Sequence, residues 1–182
     1  GPAAGDPELA DGQLAVVDLG VARQAAPLSR AIRIANAGAA PLVIARLQVP
    51  DGHRVALALP ATVAIGEAVV VTIERDTLRL GPIAGEVVIE NNDPDESSFR
   101  FPITSLVVDP EIAVFDGATV TSPELAAGQP SALDFGEVRQ LSPVTRTLLI
   151  RNTGTAVLRI DRIEGSARFE VTAPVRYPVE IA

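Results

Sequence analysis

The 182-residue chain contains no cysteine, methionine, tryptophan or lysine, and a single histidine and a single tyrosine. Without cysteine there is neither a disulfide nor a thiol nucleophile, and zinc would have to bind through His53 and carboxylates alone, against the usual Cys and His sets. With no tryptophan and only Tyr177, the chain lacks the exposed stacking rings that a carbohydrate platform needs. Every formal side-chain cation except a protonated His53 is an arginine. The 15 cations stand against 23 carboxylates, a formal net charge of −8, and the arginines are scattered among the acids. Nucleic-acid affinity rests on clustered cations, so a nucleic-acid partner is set aside. No uncharged apolar run approaches the roughly 18 to 20 residues of a membrane-spanning helix. The absence of methionine indicates that Gly1 is not a native start, and Gly1-Pro2 reads as a protease scar or a cut inside a longer protein.

What the chain does have is a repeat. Shifted by 116 residues, the 40-residue stretch that begins at Pro7 aligns without a gap on the one that begins at Pro123, with 19 of the 40 positions identical. The matches include Asp18 with Asp134, Gly20 with Gly136, Arg23-Gln24 with Arg139-Gln140, Arg30 with Arg146, Asn36 with Asn152 and Gly38 with Gly154. A self-similarity of this kind is a statement about architecture and precedes any local motif.

The unit reads as all-β. "RAIRIAN" and "TRTLLIRN", then "PLVIARLQV" and "AVLRIDRIE", alternate in part between apolar and polar residues, the period of a half-buried strand. "NAGAA" and "NTGTA" lie between them and carry the Asn and Gly that tight turns favour. Further strands are expected at "HRVALAL", "EAVVVTIER", "GEVVIEN" and "FRFPITSLVV". The expected fold is two tandem immunoglobulin-like β-sandwich domains, residues 1–109 and 110–182, joined at Asp109-Pro110, where proline interrupts two β-type runs. The phase of the repeat leaves the first domain without a counterpart of "EIAVF" (111–115) and the second without counterparts of residues 67–106. Each is therefore expected to lack strands, as in a segment of a longer array, and to offer bare strand edges for a protein partner or for self-association.

Few residues suggest chemistry. "IENNDPDESSFRFPI" gathers Asp93, Asp95 and Glu96 near Asn91 and Asn92, enough oxygen for a calcium ion, but without the spacing and central glycine of an EF-hand loop. A solvated hairpin turn is the preferred reading, with calcium as the minority alternative and no other cofactor. A glycosidase pair would need carboxyl groups held across a cleft, one of them buried, which neighbours on a turn do not supply. "DLG" and "DFG" share a motif with kinases, but no companion signature follows. Asp18, Gly20, Asn36, Gly38 and their partners Asp134, Gly136, Asn152 and Gly154 read instead as a structural motif of the repeat. His53 follows a Pro-Asp-Gly turn and reads as a surface residue, and the phenylalanines read mostly as core.

"DFGEV", "TRTLLIRNTGTAVLRI" and the unit ending "VVIENNDPDESSFRFPI" together resemble the bacterial choice-of-anchor D repeat, which is similar to Hydin-like and major-sperm-protein-like immunoglobulin-type domains. The resemblance runs from about Val17 to Val107 and again from Glu111 onward. It implies a β-sandwich, tandem repetition, and a non-catalytic role as a structural spacer or protein-interaction module of an exported or cell-surface protein, with the periplasm as the alternative compartment. An adhesive or receptor-binding domain and an accessory module of a secreted hydrolase are the other functions it leaves open.

Overall fold

In a computed structural model of the chain, the described residues are 8–128, 132–137, 139–172 and 176–182. The Gly1-Pro2 reading and Pro7, the first matched position of the repeat, lie outside them, as do Gln129, Pro130, Ser131 and Val138 of the second copy. The fold is all-β, without a helix among the described residues. Internal contacts divide the chain into two compact units, Gly1–Val108 and Asp109–Ala182.

Among its described residues unit 1 holds eight strands: β1 (Val17–Arg23), β2 (Ser29–Ala35), β3 (Leu42–Gln48), β4 (His53–Ala56), β5 (Ala61–Val63), β6 (Ala68–Arg75), β7 (Gly81–Asn91) and β8 (Ser98–Val108). They form a five-stranded sheet in the order β1-β8-β7-β3-β5 and a three-stranded sheet in the order β2-β6-β4. All pairings are antiparallel except β1 with β8, which run parallel from Val17↔Ile103 to Arg23↔Val108. Alternation along the strands explains the two-layer packing, since one face of each strand must be buried. In β8 the inward residues are Phe101, Ile103, Ser105 and Val107, and in β6 they are Val71, Ile73 and Arg75. Val17, Leu19, Ile44, Val63, Ile73, Val87, Ile89, Phe101 and Ile103 make one core, with Ile32 and Ile34 of β2 packed against it. Phe101 is 1% exposed and meets Phe99 edge-on at 6.3 Å, a geometry aromatic rings favour.

Two strands depart from their sequence patterns. "HRVALAL" yields only the four residues of β4, and the three-residue β5 is too short for a period to show. Pro102 lies inside the long β8, where a proline is ordinarily excluded. The Arg100 N–H donates to Asp11 Oδ1 and the Arg100 carbonyl accepts from the Gly12 N–H, so even-numbered residues of β8 face away from β7. The missing N–H of Pro102 falls on that same outer side, just before β1 begins to pair at Ile103. No ladder bond is lost.

Unit 2 holds β9 (Ile112–Asp116), β10 (Leu148–Asn152), β11 (Leu158–Ile160) and β12 (Val179–Ile181), in two antiparallel pairs, β9 with β10 and β11 with β12. The other edge of β9 is covered by a returning segment: the Asp116 N–H donates to the Pro123 carbonyl and the Leu125 N–H to the Val114 carbonyl, each at 2.8 Å. Among the described residues its buried apolar side chains are Ala113 and Phe115. Phe135 and Phe169 meet at 5.1 Å with their rings tilted by 46°, yet Phe169 is 55% exposed, which corrects the reading of this ring as core.

Candidate functional site

Glycine 20 bends β1. At φ +100° it occupies backbone space that a side chain disfavours, and the pairing of β1 with β8 shifts register between Asp18 and Val21. Asp18 Oδ1 accepts the Gly20 N–H at 2.9 Å, and the Arg30 guanidinium donates to the Asp18 carbonyl at 2.7 Å. Unit 2 repeats the set: Asp134 Oδ1 accepts the Gly136 N–H at 2.7 Å, Gly136 has φ +72°, and Arg146 donates to the Asp134 carbonyl. The turn that follows also recurs, with the Ala26 N–H on the Arg23 carbonyl, the Ser142 N–H on the Arg139 carbonyl, and left-handed Ala25 and Leu141 at φ 61° and 63°. That turn gives the repeated Arg23-Gln24 and Arg139-Gln140 pairs a backbone role.

The asparagines form the centre of each unit's turn. Asn36 is 6% exposed; its Nδ2 donates to the Ala40 carbonyl at 2.8 Å and the Val63 carbonyl at 3.0 Å, and its Oδ1 accepts the Gly38 N–H at 3.0 Å. Asn152 donates to the Ala156 and Ile181 carbonyls at 2.7 and 3.0 Å and accepts from Gly154 N–H at 3.0 Å. One carboxamide thus ties a turn to a distant strand, which a carboxylate, lacking donors, cannot do.

The units differ in what lies over this turn. In unit 2 the leader of β9 crosses it: the Asp109 carbonyl accepts from Thr155 N–H and Ala156 N–H, and the Glu111 carbonyl accepts from Thr153 N–H at 2.8 Å. A Cβ on Gly154 would collide with Asp109 O and Glu111 N, so this glycine is required by close approach of backbone. Arg146 reaches the far end of β9 and pairs with both oxygens of Asp116, whose carboxyl is held below its ordinary pKa chiefly by that hydrogen bond. In unit 1 a Cβ on Gly38 would meet only Asn36 Oδ1, at 3.3 Å, and Arg30 has no carboxylate partner among the described residues.

A second polar cluster fills one end of the unit 1 sandwich. His53 opens β4 half-buried, with Nε2 at 3.0 Å from the Oγ of Ser105, which is 1% exposed. The expected surface histidine is therefore corrected; strand pairing with Arg75 draws it inward. Burial, and secondarily the charge of Arg75, lowers its pKa. Arg75 is buried without a carboxylate: its guanidinium donates to the Gly52 and Arg79 carbonyls at 3.3 and 2.8 Å and to the Asp76 carbonyl. Carbonyl dipoles thus replace part of the water that the charge has lost, while Nε is buried without a hydrogen-bond partner among the described residues. A serine beside a histidine can serve a nucleophile, but here Ser105 is sealed in the core and His53 Nδ1 has no partner among the described residues. Sequence reasoning missed Ser105 and Arg75, although both fall on the inward parity of their strands.

The acidic turn between β7 and β8 is organised by its asparagines. Asn91 Nδ2 donates to the Glu96 carbonyl and its Oδ1 accepts the Asp93 N–H; Asn92 donates to the Pro41 carbonyl and accepts the N–H of Val43 in β3. Asp93 Oδ1 faces the Asp95 N–H at 3.4 Å. The structure does not gather Asp93, Asp95 and Glu96 into a group that could hold a metal ion, nor any three His, Asp or Glu residues among those described. No helix among the described residues is long and apolar enough to cross a membrane.

No family model matches the chain, and no curated protein does. Solved structures that it resembles include the VesB protease of Vibrio cholerae, at 18% identity and a TM-score of 0.39 over 50% of this chain and 29% of that one. A chaperone–tip adhesin complex of CFA/I fimbriae biogenesis is another, at 11% identity and a TM-score of 0.37 over 76% of this chain and 65% of that one. The chain thus spans less than two thirds of either structure's own length.

Proposed function

We propose that the chain is a non-catalytic structural spacer and protein-interaction module, part of a tandem-repeat protein of the choice-of-anchor D kind that is exported or displayed on a bacterial surface. The observation that carries this reading is the parallel pairing of β1 with β8. These are the first and last strands of unit 1, so tension applied to its two ends pulls adjacent parallel strands in opposite directions. Their hydrogen bonds are then loaded together in shear instead of opening one at a time. A module built to keep its length under tension needs that geometry. The repeated Asp, Gly, Arg and Asn set supports the reading further, because the same residues do the same backbone work in both copies.

Single-molecule pulling on the chain between its termini tests it. Unit 1 should hold and then open in one step, releasing about 90 residues, roughly 30 nm at ~3.6 Å per residue. Gradual extension without a force peak would refute the spacer role, and substrate turnover in peptidase, esterase and glycosidase assays would refute the non-catalytic one.

A further inference from the structure

The outer edge of β2 has no partner among the described residues, and unit 2 displays what belongs there. The Asn36 N–H donates to the Glu67 carbonyl, the Gly66 N–H to the Asn36 carbonyl and the Arg75 N–H to the Leu28 carbonyl, so even-numbered residues of this segment face β6. Ser29, Ala31, Arg33, Ala35 and Ala37 therefore turn their N–H and C=O groups to the free side. In the repeat, Ala37 corresponds to Thr153, whose N–H bonds the Glu111 carbonyl. The edge that β2 leaves free is the edge on which β10 binds β9.

We propose that this edge is an acceptor for one extended segment with the chemistry of Asp109–Asp116: an Asp-Pro leader, alternating apolar residues, and a closing carboxylate. The inference deepens the interaction-module reading and rests on it. Three features of unit 1 fit that occupant and are otherwise unexplained. Gly38 is not left-handed and no backbone crosses it, a Cβ there meeting only the Asn36 side chain, whereas its counterpart Gly154 is crossed by the backbone of Asp109–Glu111. Arg30 lacks the carboxylate that Asp116 gives to Arg146. The amides of Ala37, Ala39 and Ala40 face no acceptor among the described residues, whereas Thr153, Thr155 and Ala156 donate to the β9 leader.

The remaining edges of unit 1 are managed in ways that proteins use against unwanted pairing. β4 and β5 have four and three residues, β1 is broken by the Gly20 bulge, and the overhang of β8 is closed by Asp11, Gly12 and Pro102. β2 runs seven residues, and its outward groups, those of Ser29, Ala31, Arg33 and Ala35, have no strand partner among the described residues. Strand addition would supply affinity through main-chain bonds, and Arg30 and Gly38 would supply selectivity.

The test uses the isotope-labelled chain and a synthetic peptide of the Asp109–Asp116 sequence, with a scrambled peptide beside it. The expected result is saturable one-to-one binding that slows exchange at the amides of Ala31, Arg33, Ala35 and Ala37. Gly38→Ala should weaken it at least tenfold and Arg30→Ala several-fold, with Ile44 exchange reporting that unit 1 remains folded. The proposal is overturned if those amides stay unprotected at millimolar peptide, if Gly38→Ala binds unchanged, or if they are protected without peptide in a concentration-dependent dimer, which would make a second copy the occupant. A force peak that persists when peptide binding fails would refute the acceptor edge alone and leave the spacer standing.

Discussion

Replacing Asn36 with alanine removes three hydrogen bonds at once, and their surroundings set the cost. The Ala40 carbonyl and the Gly38 N–H lie on an exposed turn and can turn to water, so their loss costs little, up to about 1 kcal/mol together. The Val63 carbonyl belongs to a residue only 4% exposed and loses a buried donor that water does not readily replace, at a cost of up to about 1–3 kcal/mol. The sum is about 1–4 kcal/mol, a large part of the stability of a domain this size. Native-state hydrogen exchange at Ile44, Ile73 and Val87, all in the unit 1 core, measures it directly. At about 1.4 kcal/mol per factor of ten, these amides should exchange roughly 5- to 700-fold faster. Asn36→Asp keeps the shape but offers two carbonyls no donor, so it should cost at least as much as alanine. If alanine alters the rates less than about threefold, or aspartate behaves as wild type, the reasoning fails.

Gly154→Ala should strip exchange protection from Ala113 and Phe115, because the new Cβ meets the backbone of Asp109 and Glu111; Gly38→Ala should change unit 1 stability by less than about 1 kcal/mol, since Gly38 is not left-handed and the new Cβ meets only a side-chain oxygen, Asn36 Oδ1, at 3.3 Å. Unit 1 should also lose stability on acidification. His53 has a lowered pKa in the folded state, so the unfolded chain binds its proton first; the loss begins as pH falls through the ordinary value of 6.5 and is complete below the folded-state value. Urea midpoints from pH 8 to 5 check this, and a midpoint that is flat in wild type, or that declines equally in His53→Gln, would count against it.

Strand content was legible because side chains alternate, and the fold class followed from short strands without helical periods. The register of β2 against β6 and the parallel course of β1 beside β8 were not, since local patterns do not say which strands meet. The repeat marked Asn36 and Gly38 as structural before any contact was known and assigned the glycine to the left-handed backbone of a tight turn, yet neither Gly38 nor Gly154 has a positive φ. The reason for the glycine lies in the backbone of Asp109–Glu111 over Gly154, a contact with no signature in either residue's own neighbourhood. Ser105 and Arg75 were readable by parity, as inward positions in line with Ile103 and Ile73. They were passed over because polar residues within apolar strands are assigned to the wet face by default. The acidic turn was misleading in its richness: its asparagines do the bonding, and its carboxylates do not converge.

The segment Pro123–Leu125, which returns along the free side of β9, bears on how such molecules can assemble. Head-to-tail strand contacts run on into open filaments unless something closes them. In the strand addition proposed above, an added segment shielded as β9 is would end the sheet after a single step. The reach of a protein made from these units would then be set by how many copies its gene encodes, and dilution would not shorten it.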